Sequence, residues 1–186
     1  MRIVLASKSP RRRELLSAEY PDFDIEVADC DESLPENTPI NLGVEIIARR
    51  KGAAVLPRCE GALVISSDTL VELDGVALGK PRDDADAYRM LKELSGRTNY
   101  VHTGVAVHYR GRVASGVATT AVNFRNLSDS EIDEYVKSGE PRDKAGAYGI
   151  QSGAGHFVES IDGDFDTVVG LSMRLLHKLV KEVTEE

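Results

Sequence analysis

The sequence has few cysteines, few histidines and no long apolar run, and each shortage removes a class of protein. Cys30 and Cys59 form no CxxC pair and no disulfide framework, so buried free thiols in a reducing cytosol are the expectation. His102, His108, His156 and His177 show neither HxH nor HExxH spacing. A metal would therefore be held by carboxylates, which favours Mg²⁺ or Mn²⁺. No stretch approaches ~18 apolar residues and the N-terminus has no long apolar segment, so neither a membrane span nor a signal peptide is expected. No GxxxxGK followed by Ser or Thr occurs, so there is no Walker loop. Positive charge is also short. The 23 Lys plus Arg against 31 Asp plus Glu leave a net charge of −8. That balance argues against a nucleic-acid polymer or a membrane surface as partner, but it leaves room for a local basic pocket.

What is present reads as a folded α/β chain. At 186 residues the length fits one domain, or two small lobes sharing one core. Charged residues, 29% of the chain, are well mixed, so disorder is expected only in the closing KEVTEE. RIVLA reads as a buried strand. Ser9 then suits an N-cap and Pro10 the first helical position. FDIEVA (23–28) alternates like a second strand, and Thr38-Pro39 repeats the cap-plus-proline signal for a helix reaching about Leu56. Asp74-Gly75 marks a hairpin after a nearly continuous apolar strand. Asp83 begins a helix that Gly96 stops. Residues 100–125 alternate like two or three antiparallel strands with a turn at Arg110-Gly111, and Ser128 with Glu131 forms a capping box. HFVESI reads as a strand before one final helix, on which Val168, Leu171, Leu175, Leu179 and Val183 share a face. Strands and helices mixed around a hairpin section predict a mixed sheet, with no internal repeat or low-complexity linker.

Five features carry chemical interest beyond the fold. SKSPRRR places Arg11 and Arg12 in the first turn of a helix, where cations oppose a local dipole worth roughly 0.3–1 kcal/mol to an exposed charge. A strand, a serine-rich turn and a helix start also form a recurrent phosphate site, so an anion between the arginines and an ordinary basic turn both account for them. Lys51 lies on the apolar stripe of its helix, either snorkelling to solvent or aimed into a cleft that holds an anion. Asp68, at the end of the apolar run 62–65, needs a partner, a hydrogen bond or a metal if it is buried. Such a carboxylate can bind Mg²⁺ or take a proton from attacking water, and Glu32 in DCDE offers a second. Lys80, held between Gly79 and Pro81, is biased to extended backbone. Finally, DKAGAYGIQSGAG (143–155) is either a flexible loop or a backbone that approaches a ligand closely, with Gln151 able to read a base edge. Cations for phosphate, carboxylates for metal and water, and an amide for a base together suit hydrolysis of a phosphoanhydride.

LASKSPRRRELL, SSDTLV, GKPRD, LSGRT…TGVAV and EPRDKAGAYGIQ, running in this order from residue 5 to about 171, resemble the Maf (septum-formation) family of nucleotide pyrophosphatases. The resemblance implies that Asp68 is the catalytic aspartate. It matches Ser7, Arg11, Arg12, Glu32, Lys51 and Lys80 to the family's other site positions, with Thr69 and Gln151 concerned in base choice. Arg13 falls on a variable position and reads as solvated. The DKAGAYGIQ block resembles the branch acting on dTTP and UTP, not the branch preferring 7-methyl-GTP. The implied reaction cleaves between the α- and β-phosphates, releasing dTMP or UMP and pyrophosphate in a house-cleaning role. Mg²⁺ or Mn²⁺, held by Asp68 and Glu32, is implied as cofactor, as are a cytoplasmic location and a homodimer. The implied fold is a single domain over 1–186, an elongated mixed sheet flanked by helices whose two lobes form a nucleotide-binding cleft, similar to inosine triphosphatases. Three positions depart from the pattern: Asn99 follows SGRT where His is usual, Ser152 follows IQ in place of Gly, and Ser172 follows VVGL in place of Pro. Two other readings stand beside this one, a nucleotide-binding regulator of cell division that needs no turnover and a phosphatase that removes the terminal phosphate.

Overall fold

The computed structural model describes residues 1–185. The elements are β1 (Ile3–Leu5), α1 (Pro10–Ser17), β2 (Asp24–Ile25), α2 (Ile40–Val55), β3 (Leu63–Leu73), β4 (Val76–Leu78), α3 (Asp84–Leu94), β5 (Thr98–Tyr109), β6 (Arg112–Phe124), α4 (Asp129–Lys137), β7 (Val158–Asp162), α5 (Phe165–Val169) and α6 (Met173–Thr184), with short 3-10 turns between. Among the described residues the strands form one mixed sheet in the order β2-β1-β3-β5-β6-β7, with β4 paired to β3. β1 runs parallel to β2 and β3, whereas β4 is antiparallel to β3 and β7 to β6. This is the mixed α/β class expected from the sequence.

The chain divides into two compact units. One comprises Met1–Thr69, Thr103–Ala118 and the chain from Gly170 onward; the other comprises Leu70–His102 and Thr119–Val169. The first unit buries Leu5, Leu16, Ile65, Val105 and Leu176, and the second buries Leu91, Val101, Ile132 and Phe157. Each unit therefore has a core of its own, in place of the single shared core that the length allowed.

Local chemistry accounts for most element boundaries. Ser9 caps α1, accepting from the Arg12 N–H, and Pro10 is the first helical residue. Asp74 (φ 52°) and Gly75 (φ 79°) supply the two positive φ angles of a two-residue hairpin turn, and Arg110 (φ 49°) with Gly111 (φ 78°) repeat it between β5 and β6. Residues 100–125 thus belong to two strands. Ser128 and Glu131 close the capping box on α4.

Four expectations change. Thr38 does not cap α2: Pro39 occupies the N-cap, and the Thr38 hydroxyl donates to the Pro35 carbonyl. FDIEVA is a strand only over Asp24–Ile25, both exposed, while Phe23 and Ala28 on either side pack partly buried against the core. The final helix is two helices, since Gly170 (φ 127°) breaks it and Ser172 caps α6 by accepting from the Leu175 N–H. KEVTEE is not wholly disordered, for α6 runs to Thr184 with Val183 buried; Glu186 lies outside the described residues. Among those residues no helix is long and apolar enough to cross a membrane, and both cysteines are free thiols.

Candidate active site

Asp68 sits inside β3 and is 9% exposed, and it is partnered. The Lys51 ammonium lies 2.7 Å from its Oδ1 and 3.2 Å from Oε1 of Glu32. Only 15% of the Lys51 side chain is exposed, so the lysine on the stripe of α2 turns inward to two carboxylates and does not snorkel. Burial explains the pairing. A carboxylate leaving water loses several kcal/mol unless a cation and hydrogen bonds replace its solvation. α2 can bring Lys51 this close because Gly52 and Gly43 have no side chains; a Cβ on Gly52 would stand 2.5 Å from the His108 ring, and one on Gly43 2.7 Å from Leu34. His108 is itself 4% exposed, and its burial lowers its pKa.

The first arginine turn has a more specific geometry than a charge cluster. Arg12 donates from Nε to the Gly170 carbonyl (2.8 Å), from Nη1 to the Ser67 carbonyl (2.9 Å) and from Nη2 to Thr69 Oγ1 (3.1 Å), with Ser7 Oγ at 3.5 Å from Nη1. Ser67 Oγ also donates to the Gly170 carbonyl at 2.8 Å. The unusual φ of Gly170 thus turns its carbonyl to two donors, and the break between α5 and α6 has a structural cause. Acceptors from the chain's own backbone offset the unfavourable position of this cation at a helix start. Removal from water, the largest influence, lowers the Arg12 pKa. Thr69 Oγ1 shares a further hydrogen bond with Thr103 Oγ1 at 3.0 Å. Ser7, Arg12 and Thr69 are therefore joined directly, while Arg11 is half-buried and Arg13 exposed. Ser67, Thr103 and Gly170 escape sequence reasoning. Their partners are distant in the chain, and a lone serine, threonine or glycine carries no motif.

Lys80 and Gln151 belong to the second unit, and both are exposed. The segment carrying Gln151 is braced on both sides of it. The Gly149 N–H donates to the Tyr135 hydroxyl (3.2 Å), the Gly153 N–H to Glu140 Oε2 (3.1 Å) and the Gly146 N–H to the Gly79 carbonyl (3.0 Å). The last bond ties the loop to the residue before Lys80. A Cβ on Gly146 (φ 67°) would meet Val71 at 3.0 Å, so glycine is needed there for both conformation and space. Ala147 also holds a positive φ of 61°, in a fully buried position.

No three His, Cys, Asp or Glu side chains cluster with metal-holding geometry among the described residues. Mg²⁺ commonly takes one or two carboxylates and completes its shell with water and substrate phosphate. Asp68 and Glu32, drawn to one ammonium and each meeting it through a single oxygen, fit that demand.

The family model described as "Maf-like protein" matches residues 2–183. A Thermococcus gammatolerans protein named dTTP/UTP pyrophosphatase is 50% identical over 177 residues, covering 95% of this chain and 94% of its own length. Proteins of the same name from Thermococcus onnurineus and Moorella thermoacetica are 47% and 48% identical, covering 95% and 96% of this chain and 95% and 93% of their own. A solved structure of the Staphylococcus aureus Ham1 protein superposes with a TM-score of 0.50 at 15% identity, covering 67% of this chain and 72% of that one, which is a likeness of fold. With the family match spanning nearly every residue, the chain belongs to the Maf family.

Proposed function

We propose that the protein is a nucleoside triphosphate pyrophosphatase that hydrolyses dTTP and UTP between the α- and β-phosphates. The observation that carries this reading is the Asp68–Lys51 ion pair, nearly enclosed, with the exposed carboxylate of Glu32 on the same ammonium, an arrangement with no need in a merely packed core. Relatives of 47–50% identity bearing that activity in their names support the substrate.

In the reaction a water oxygen bonds to the α-phosphorus while the bond from that phosphorus to the bridging oxygen breaks. Pyrophosphate leaves with the electron pair and UMP or dTMP remains. Asp68 orients the water, and it serves either as acceptor of the water's proton or as ligand to a cation. Glu32 is the second carboxylate in reach. Lys51 holds both acids in place and lowers the repulsion that an arriving triphosphate feels from them. Arg11, Arg12 and Lys80 supply further positive charge to the triphosphate, and Arg12 also fixes Ser7 and Thr69. Mg²⁺ or Mn²⁺ bound at Asp68 and Glu32 would neutralise phosphate charge and acidify the attacking water. Gln151 and Thr69 read the base, Gln151 through an amide that both donates and accepts. The reading includes a homodimer in the cytoplasm, supported by the family resemblance.

The test is a panel of canonical and modified nucleoside triphosphates, assayed with Mg²⁺ and Mn²⁺ and with product identification. UMP and dTMP with pyrophosphate are expected. UDP with orthophosphate would instead indicate a terminal phosphatase, and binding without product a regulator.

A further inference from the structure

Asn99 follows the SGRT stretch that leads into β5, and the structure gives its side chain two partners. It is fully buried on β5, its Nδ2 donating to the Val122 carbonyl at 3.1 Å and its Oδ1 accepting from the Tyr148 hydroxyl at 2.8 Å. The amide cannot be reversed, because a carbonyl only accepts and the nitrogen must face it. Tyr148 is 5% exposed and lies edge-on to Phe124, ring centroids 4.9 Å apart. Burial raises its phenol pKa, which keeps the hydroxyl a donor. The Tyr148 ring is thus a stiff lever, held by packing along its length and by one hydrogen bond at its tip. Its backbone leads directly to Gly149, Ile150 and the exposed Gln151. Ser152 adds a weaker local tie through Oγ to the Gly149 carbonyl at 3.3 Å.

We propose that Asn99 is a positioning residue for base recognition: by anchoring Tyr148 it fixes the loop that presents Gln151, and so sets discrimination among bases without touching the phosphates. The inference rests on the pyrophosphatase reading. Neutral imidazole also offers one donor nitrogen and one acceptor nitrogen, so a histidine at position 99 would keep the hydrogen-bonding capacity of the amide. Loss of the acceptor leaves a buried hydroxyl unpartnered. A displacement of about 1 Å in a positioning group is enough to change catalytic efficiency severely.

The experiment compares full-length wild type, Asn99→Leu, Tyr148→Phe and Asn99→His for kcat and KM on UTP, dTTP and CTP, inhibition by UMP and by pyrophosphate, and Tm. For Asn99→Leu the UTP-over-CTP preference and UMP affinity should fall about tenfold. Its kcat on UTP should stay within about twofold and pyrophosphate inhibition should not change. Tyr148→Phe should act in the same direction, and Asn99→His should retain the wild-type preference. Should Asn99→Leu fail to fold, Tyr148→Phe decides, because the ring still packs. A lower Tm with unchanged preference and UMP affinity, or equal weakening of UMP and pyrophosphate, overturns the proposal. A wild type that leaves UTP and dTTP intact overturns the functional reading, and this inference with it.

Discussion

Around Asp68 the first unit buries ionic groups; around Gln151 the second buries mostly neutral ones. Lys51 joins two carboxylates and Arg12 is held by carbonyls and a threonine hydroxyl, whereas the glycine loop hangs mainly from Asn99, Tyr135 and Tyr148, its charged groups being Glu140 and Lys144, which pairs with the exposed Asp143. The difference suits the role proposed for each region. Charge at a phosphoanhydride stabilises the leaving pyrophosphate, and exclusion of water strengthens that effect. Base discrimination needs donors and acceptors in fixed places, and neutral groups provide them without adding a field that would compete with the phosphates. Burying a charge is costly wherever pairing and hydrogen bonds do not offset the lost solvation.

Lys51→Met should break the ionic side of the comparison most severely after loss of Asp68 itself. Two carboxylates would face each other without a cation, one of them only 13% exposed. Stability should fall by about 2 kcal/mol and turnover by at least about 100-fold. Adding Asp68→Asn should recover much of the lost stability and none of the turnover, as urea unfolding and steady-state kinetics would show. Gln151→Ala tests the neutral side. Its KM for UTP should rise on the order of tenfold with kcat little changed, the mark of lost ground-state and transition-state binding alike.

Acid should separate the two units. Burial holds the His108 pKa below 6.5, so the unfolded chain binds this proton more readily. Its contribution to stability is present above pH 6.5 and is lost as pH falls below it. In the second unit the Arg82 N–H, followed by Arg89, holds the Asp86 carboxyl at about 2, and Arg125 does the same for Glu131. A depressed carboxyl pKa stabilises above the ordinary value, and that support is lost only as pH falls from about 4 towards 2. Hydrogen exchange should therefore reveal peptides of the first unit opening at higher pH than those of the second. His108→Phe should flatten the dependence of Tm on pH just below 6.5, and Asp86→Asn should flatten it below about 4. The smallest effect belongs to Arg13→Ala. This arginine is exposed, so stability should change by less than about 0.5 kcal/mol and turnover by less than about twofold.

Much of this was legible where the physics is local. Ser9-Pro10, Asp74-Gly75 and the Ser128–Glu131 box each decide a boundary through neighbours within a few residues, and each behaves as read. Lys51 and Asp68 could be singled out because a charge on an apolar stripe or strand violates the local pattern. What could not be read depends on partners far along the chain. Arg12 meets Gly170 across 158 positions, so neither the break of the final helix nor the enclosure of the arginine shows in any window of sequence. Thr103 and Tyr148 have ordinary surroundings in the chain and acquire their roles only through Thr69 and Asn99. Pro39 displaced Thr38 as cap because the threonine hydroxyl found a carbonyl three residues back.

The central claim, that Asp68 on β3 with its partners Lys51 and Glu32 drives cleavage of the α–β bond, is tested most directly by ³¹P NMR of UTP incubated with wild-type and Asp68→Asn protein of matched Tm. The wild type should yield UMP and pyrophosphate, and the variant should leave UTP intact over the same time, its turnover lower by roughly 100-fold or more. Pyrophosphate released by Asp68→Asn at close to the wild-type rate would contradict the account.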